Sequence, residues 1–297
     1  MKLTIAGRLG SGKTTIASIL KEERHFETYS IGKIQRDLAE RMGLSIYEFS
    51  ELCKGDCSYD SMTDDEMFRI YHKAKDQNVI FDSRMAWHLL KDTYNIYTVV
   101  DPLVSTERIL NSDRGKTESY NSFEEASIKL SKRTQAERER YQSLYNVDIF
   151  NLENYDLVVD TTWCTPGVIA DKIYELASSG KGNKTRLLLS PKSLFPTAKH
   201  SQLRMPVVNE YRLKLENNEP INPIKVVYHE GYFYILHGHH KVIASLIQGC
   251  DFIEAEFIHL HDFSQLKEEV SHAGLSTLHD YEEVGNFRYK SYPNLYK

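Results

Sequence analysis

Residues 2–20, KLTIAGRLGSGKTTIASIL, decide the fold. They open with a short apolar run, pass through Gly7-Arg8-Leu9-Gly10-Ser11-Gly12-Lys13-Thr14, and close with an amphipathic stretch. The middle segment fits G-x-x-x-x-G-K-[ST], and its flanks predict a strand before it and a helix after it, which is the context the motif needs. Glycines let the backbone wrap around phosphates, and the N–H groups at the helix start face an anion. Gly7, Gly10, Ser11, Gly12, Lys13, Thr14 and Thr15 form the expected ATP-binding set. Lys13 is expected to reach the β- and γ-phosphates and Thr14 to hold Mg2+.

Outward from this loop, strand-like and helix-like stretches alternate as far as residue 177. Strands are expected in NVIFDS, NIYTVVD and YDLVVDTT; helices in IGKIQRDLAERMG, SIYEFSELCKG, DDEMFRIYHKAKD and the long segment from FEEASIKL to SLYN. Apolar strands alternating with helices predict an α/β fold, a parallel sheet with helices on both faces. SSGKGNKT, residues 178–185, reads as a linker because it is small, polar and Gly-rich. Beyond it, PIKVVYH, YFYILHG and FIEAEFIHL read as strands around helical NEYRLKLENN and HKVIASLIQG. The expected organisation is residues 1–177 as a first domain, 178–185 as a linker, 186–262 as a smaller α/β domain and 263–297 as a Tyr-rich tail.

The chain has 297 residues, 41% hydrophobic and 27% charged, with a formal net charge of −5. These are values of an ordinary soluble globular protein, and the acidic balance does not favour a nucleic-acid partner. Acidic and basic residues nearly cancel in the second half as well. Cys53, Cys57, Cys164 and Cys250 fit no zinc or redox spacing, so a reducing, cytoplasmic setting is expected. No apolar run reaches membrane-spanning length.

The first domain is rich in arginine where a phosphoryl donor and an anionic acceptor would meet. Arg36 follows YSIGKIQ, Arg84 follows VIFDS, and Arg108, Arg114, Arg133, Arg138 and Arg140 lie between STERI and RERY. The planar guanidinium binds phosphate through two parallel hydrogen bonds. Asp82, at a strand end, is placed to orient a magnesium-bound water or an acceptor group. Lys13, Asp82, Arg84, Arg133 and Arg140 are the catalytic candidates; Arg36, Asp82, Arg84, Arg108 and Arg114 are the substrate-binding candidates; Thr14 directly and Asp82 through water are the magnesium candidates.

LTIAGRLGSGKTTIASIL, YSIGKIQRDLAERMGLSIYEF, NVIFDSRMAWHLL, VDPLVSTERI and ERERYQSLYNVDIFNLENYDLVVDTT follow one another as in the cytidylate kinases, and the first domain resembles their compact archaeal-type branch over residues 1–177. The resemblance implies a P-loop nucleoside monophosphate kinase fold and transfer of the ATP γ-phosphoryl group to a pyrimidine nucleoside monophosphate such as CMP or dCMP. It implies that Arg36 and Arg84 hold the acceptor phosphate, and that Arg108, Arg114, Arg133 and Arg140 belong to a mobile lid. Asp82-Ser83-Arg84 stands where that family commonly has EGR or DGR.

A second stretch, YFYILHGHHKVIAS at 232–245, again reads as strand, glycine turn and helix start. Gly238 permits the turn, and His239, His240 and Lys241 sit where helix N–H groups are free, an arrangement suited to an anion. A metal reading would use His237, His239 and His240, joined by His259 and His261, but these lack a recognisable ligand spacing. Residues 186–260 resemble the ParB-like and sulfiredoxin-like superfamily, with Lys241 in place of its usual arginine and His237 in place of a common aspartate. That resemblance implies a second nucleotide- or phosphate-binding site at Gly238, His239, His240 and Lys241. The expected activity is thus a Mg2+–ATP-dependent kinase of a pyrimidine nucleoside monophosphate with an appended phosphate-binding module. The alternatives are a kinase of another acceptor, such as a hydroxymethyl pyrimidine in DNA, and a nucleotide-dependent switch or partitioning adaptor with no acceptor.

Overall fold

The structure is a computed structural model that describes residues 1–258 apart from 45–47, 50–51, 53–57, 76, 113–119, 121, 198–203 and 230. Most of SIYEFSELCKG, together with Cys53, Cys57, Arg114, His259, His261 and the 263–297 tail, lies outside the described residues. The chain divides into two compact units whose segments interleave. The first holds Met1–Thr98, Lys132–Val158 and Thr165–Thr185; the second holds Val99–Ser131, Val159–Cys164 and the chain from Arg186 onward. The sequence had suggested one boundary at 178–185.

In the first unit, strands run in the order β2 (Glu27–Ser30), β3 (Val79–Asp82), β1 (Lys2–Gly7), β4 (Tyr94–Val99) and the first half of β5 (Leu157–Asp160), whose Val159 and Asp160 belong to the second unit. β2, β3, β1 and β4 are mutually parallel. Central β1 is buried at every position after Lys2 because both of its faces are covered. On one face lie α1 (Lys13–Arg24) and α7 (Pro166–Ser178), which bury Ile16, Ala17 and Leu20 against Ile169, Ala170 and Ile173. On the other lie α2 (Ile31–Arg41) and α3 (Ser58–Lys73), whose Ile34, Leu38 and Met67 pack with Val79 and Phe81 of β3. Successive side chains on β3 point to opposite faces, so Ile80 serves the α1 side. The short α4 (Ala86–Leu89) follows β3.

The parallel arrangement places the phosphate loop. β1 ends at Gly7 and α1 starts at Lys13, so the loop lies at the carboxyl end of the middle strand. β3 ends alongside: Ile5 pairs with Asp82, and the Ser83 N–H donates to the Ile5 carbonyl at 3.2 Å. Residues 82–84 therefore emerge next to the loop, where open parallel sheets take their ligands.

α6 (Phe123–Tyr145) is charged along its length; the division between units passes through it, and Lys132 onward belongs to the first. The second unit also carries α5 (Pro102–Leu110), capped by Asp101, which accepts from the Leu103 and Val104 N–H groups. Its strands run β6 (Arg186–Leu189), β10 (Ile253–Phe257), β8 (Ile224–His229), β9 (Tyr232–His237) and β7 (Leu194–Phe195). This sheet is mixed: β6–β10 and β8–β9 are antiparallel, while β10–β8 and β7–β9 are parallel. α9 (His239–Ile247) buries Val242 through Leu246 and packs with α8 (Met205–Glu216).

Candidate phosphate-binding sites

Each residue of the phosphate loop is set by its neighbours. Gly7 has φ 147°, and a Cβ there would overlap the Thr98 side chain and carbonyl. That space is already used: Ser11 Oγ lies 2.7 Å from Thr98 Oγ1 and donates to the Arg8 carbonyl. Gly12 caps α1 with φ 77° and no side-chain hydrogen bond, which leaves the helix start open to a ligand rather than to its own cap. Lys13 Nζ folds into the loop and donates to the Gly7 and Arg8 carbonyls at 3.0 and 2.8 Å. The ammonium thus waits within the cradle, held by bonds it can exchange for phosphate oxygens.

Thr14 Oγ1 lies 3.4 Å from Asp82 Oδ2. A hydroxyl and a carboxylate oxygen this close are hard donors of the kind magnesium takes, and magnesium keeps several of its waters. The pair therefore fits a Mg2+ held by Thr14 and, through water, by Asp82.

Arg84 is held from three sides. Ser83 Oγ accepts from the Met85 and Ala86 N–H groups, both at 3.1 Å, and shapes the turn out of β3. Trp87 Nε1 donates to the Arg84 carbonyl at 2.9 Å. The guanidinium reaches the Gly7 carbonyl through Nη1 and Glu137 Oε2 through Nε, the latter at 3.0 Å. Burial pulls the Arg84 pKa down, but the Glu137 carboxylate and the nearby Tyr97 and Tyr141 hydroxyls more than offset this, so it stays charged. Arg133 Nε lies 3.6 Å from the other Glu137 oxygen. Glu137, which joins the two arginines, is the site residue that sequence reasoning missed; its only signal was a position four residues after Arg133.

Lys13, Thr14, Asp82 and Arg84 are brought together at the mouth of the loop. Arg36 is exposed on α2 and lies across Gly32, within 3.5 Å of where a Cβ would stand there. Arg140 is exposed on α6, and Arg138 of the same helix pairs with Asp148. Arg108, in the second unit, donates to the Thr161 and Thr162 carbonyls at 2.8 and 2.9 Å. It clamps the end of β5, where the wholly buried Asp160 accepts from the Thr162 N–H, the Thr162 hydroxyl and the Ser190 N–H.

The second glycine turn is built as its sequence suggests, but its histidines carry a different character. Gly238 caps α9 with φ 111°, and a Cβ there would stand 2.6 Å from Ile224 Cγ2. His239 Nε2 accepts the Thr197 N–H at 3.1 Å, and His240 Nε2 accepts the Arg204 N–H at 3.0 Å. A ring nitrogen that accepts a backbone N–H is unprotonated, so both rings are neutral with the proton on Nδ1. Burial, with His240 and His237 adding to it, lowers the His239 pKa to about 4. Lys241 Nζ donates to the Asn222 carbonyl at 2.9 Å and lies 5.6 Å from the Tyr211 ring centroid. The cationic character expected of this turn therefore rests on Lys241 and the helix N–H groups, not on imidazolium. Among the described residues, no group of three His, Cys, Asp or Glu side chains could hold a metal ion.

The lowered pKa has a signed consequence. The unfolded chain takes up a proton at His239 near pH 6.5, the native one only near pH 4. The native state is thus favoured fully above pH 6.5, and this contribution, up to about 3 kcal/mol, is lost as pH falls toward 4. In urea unfolding at pH 7.5 and pH 5, wild type is expected to lose more stability than His239→Gln, whose amide oxygen accepts without titrating. Equal losses would contradict the assignment.

Cys164 and Cys250 are free thiols. Burial pushes the Cys164 thiol up to about 12, and its Sγ lies 3.3 Å from the Asp251 carbonyl, so it packs as an inert side chain. Among the described residues no helix is long and apolar enough to cross a membrane.

Comparison with known proteins places these features. The profile of the Cytidylate kinase-like family matches residues 2–163, more than half of the chain. A cytidylate kinase from Sulfolobus acidocaldarius is 36% identical over 181 residues, which are 60% of this chain and 94% of that enzyme. An S-adenosylmethionine-dependent nucleotide dehydratase from Lacinutrix mariniflava is 36% identical over 176 residues, 59% of this chain; the chain spans only 35% of that relative's length. A sulfiredoxin structure from Arabidopsis thaliana overlaps 29% of this chain and 96% of its own, at 16% identity and a TM-score of 0.26, too weak a likeness to build on. With its strand–loop–helix motif at the end of the central strand of a parallel sheet, the chain belongs to the Cytidylate kinase-like family.

Proposed function

We propose that the protein transfers the γ-phosphoryl group of ATP to a pyrimidine nucleoside monophosphate, CMP or dCMP, and that its second unit binds a nucleotide or phosphate at Gly238, His239, His240 and Lys241. The observation that carries the kinase reading is the convergence of Lys13, Thr14, Asp82 and Arg84 at one loop mouth. Lys13, Thr14 and Asp82 suit the donor and its metal ion, and Arg84 suits an anionic acceptor. The 36% identity to a cytidylate kinase along nearly that enzyme's whole length supports a pyrimidine acceptor.

In this reading an oxygen of the acceptor phosphate attacks the γ-phosphorus, the bond from γ-phosphorus to the β,γ-bridging oxygen breaks, and ADP leaves with that electron pair. Lys13 exchanges its two loop carbonyls for β- and γ-phosphate oxygens. A bound Mg2+ would neutralise charge between the phosphates. Thr14 would hold the ion directly and Asp82 through water. Arg84, with Arg36 from α2, fixes the acceptor phosphate; Arg133 and Arg140 on α6 stabilise the charge of the moving group. Arg108 and Arg114 are lid residues in this reading, and Arg108 must release the Thr161 and Thr162 carbonyls to touch substrate. No protein nucleophile is needed, because positioning and charge neutralisation supply the rate. Residues 1–177 and 186–262 are the domains we assign to catalysis and to the second ligand.

The test is ADP release from Mg2+–ATP in the presence of CMP, dCMP, UMP, dUMP, dTMP, AMP or DNA containing hydroxymethyl pyrimidine. Stimulation by a pyrimidine monophosphate supports the proposal. Stimulation by the modified DNA alone moves the acceptor to a polymer, and stimulation by none leaves a nucleotide-dependent switch.

A further inference from the structure

The Arg84 guanidinium is already occupied. Its Nε is 3.0 Å from Glu137 Oε2, its Nη1 reaches the Gly7 carbonyl, and its side chain is only 16% exposed. Glu137 is 24% exposed, so the pair is largely withdrawn from water. A guanidinium withdrawn from water needs a partner, and removing that partner leaves an uncompensated charge. An incoming phosphate meets an arginine whose Nε is taken by a carboxylate and whose Nη1 is taken by a backbone carbonyl. It can take that place only by displacing Glu137, and it has the means: a dianion offers more charge and a matching pair of oxygens. Glu137 has somewhere to go, because Arg133, one turn away on the same helix, is already 3.6 Å from its other oxygen.

We propose that Glu137 is a resident counter-ion seated on Arg84, occupying the place a substrate phosphate must take, and is thereby a positioning residue for phosphoryl transfer. The inference rests on the reading above, in which Arg84 binds phosphate. In the unliganded protein the carboxylate keeps Arg84 aimed at the loop and holds the Lys132–Tyr145 part of α6 beside it. When phosphate arrives, the carboxylate passes to Arg133 and the guanidinium to the ligand. Its presence costs affinity, since every bound phosphate must first break an ion pair. A purely structural ion pair would have no such effect on ligand affinity.

Trp87 supplies a local readout, because its Nε1 is bonded to the Arg84 carbonyl at 2.9 Å. In the full-length chain carrying Trp163→Phe, with Mg2+–ADP present, Trp87 fluorescence is titrated with inorganic phosphate at low chloride. Glu137→Gln is expected to tighten phosphate binding at least fivefold, and Arg84→Gln to abolish the response. Should Glu137→Gln fail to fold, Glu137→Asp is read in its place; its shorter carboxylate draws back from Arg84, and at least twofold tighter binding is expected. Unchanged or weaker binding in the folded variant, or no response in any variant, would overturn the proposal. Failure of the acceptor reading is separable: it would show as tighter phosphate binding without monophosphate-stimulated turnover. Turnover without tightening would remove Glu137 from this role alone.

Discussion

Lys13→Ala is expected to lower ATP-dependent turnover by about 10³-fold while leaving the fold intact. Removing one preorganised donor to developing charge costs about 10²–10³, and Lys13 carries a full charge as well as a donor. Its Nζ is bonded to the Gly7 and Arg8 carbonyls, so it is oriented before any nucleotide binds. Losing those two half-buried bonds costs on the order of 1–2 kcal/mol each. Steady-state turnover at saturating ATP, with circular dichroism as the control for folding, checks both halves. Activity within tenfold of wild type would remove Lys13 from the phosphate site.

Gly7→Ala is expected to be the most destabilising single-methyl addition in the first unit. The backbone at Gly7 has φ 147°, a region closed to residues with a Cβ, and the added carbon would overlap the Thr98 carbonyl as well as its side chain. A carbonyl within a paired strand cannot swing aside as a flexible side chain can. Strain of this kind costs on the order of 1–3 kcal/mol, and overpacking adds a similar amount. A loss of about 3 kcal/mol or more is expected, with Tm lowered by roughly 6–12 °C. Thermal unfolding of the variant without nucleotide measures it directly. A Tm within a degree or two of wild type would mean that the β1–β4 contact is looser than the structure describes.

The fold of the first unit was legible because two independent signals agreed. The loop motif demanded a strand before it and a helix after it, and the apolar runs around Ile80, Ile96 and Val158 demanded a parallel sheet. β2 was not read because ETYS has no fully buried position and lies at the sheet edge. The interleaving of the two units was not legible either, since a linker-like composition at 178–185 reports local chain character and not which distant segments pack together. Lys13 could be named from the loop motif, and Asp82 and Arg84 from the end of their strand. Glu137 could not: within a helix as charged as α6, sequence does not say which carboxylate meets a particular arginine. The histidines of the second turn teach the same lesson. Their residue type suggests cations, but the backbone donors that make them acceptors belong to Thr197 and Arg204, far away in the chain.

We propose that the loop and the arginines around it serve transfer to a nucleotide rather than hydrolysis. The most direct measurement is the fate of γ-32P-labelled ATP incubated with Mg2+, CMP and the full-length protein, resolved by chromatography. Label recovered in CDP, and lost in Lys13→Ala, is the expected result. Label released only as inorganic phosphate, or retained in ATP in the presence of CMP and dCMP alike, would contradict it.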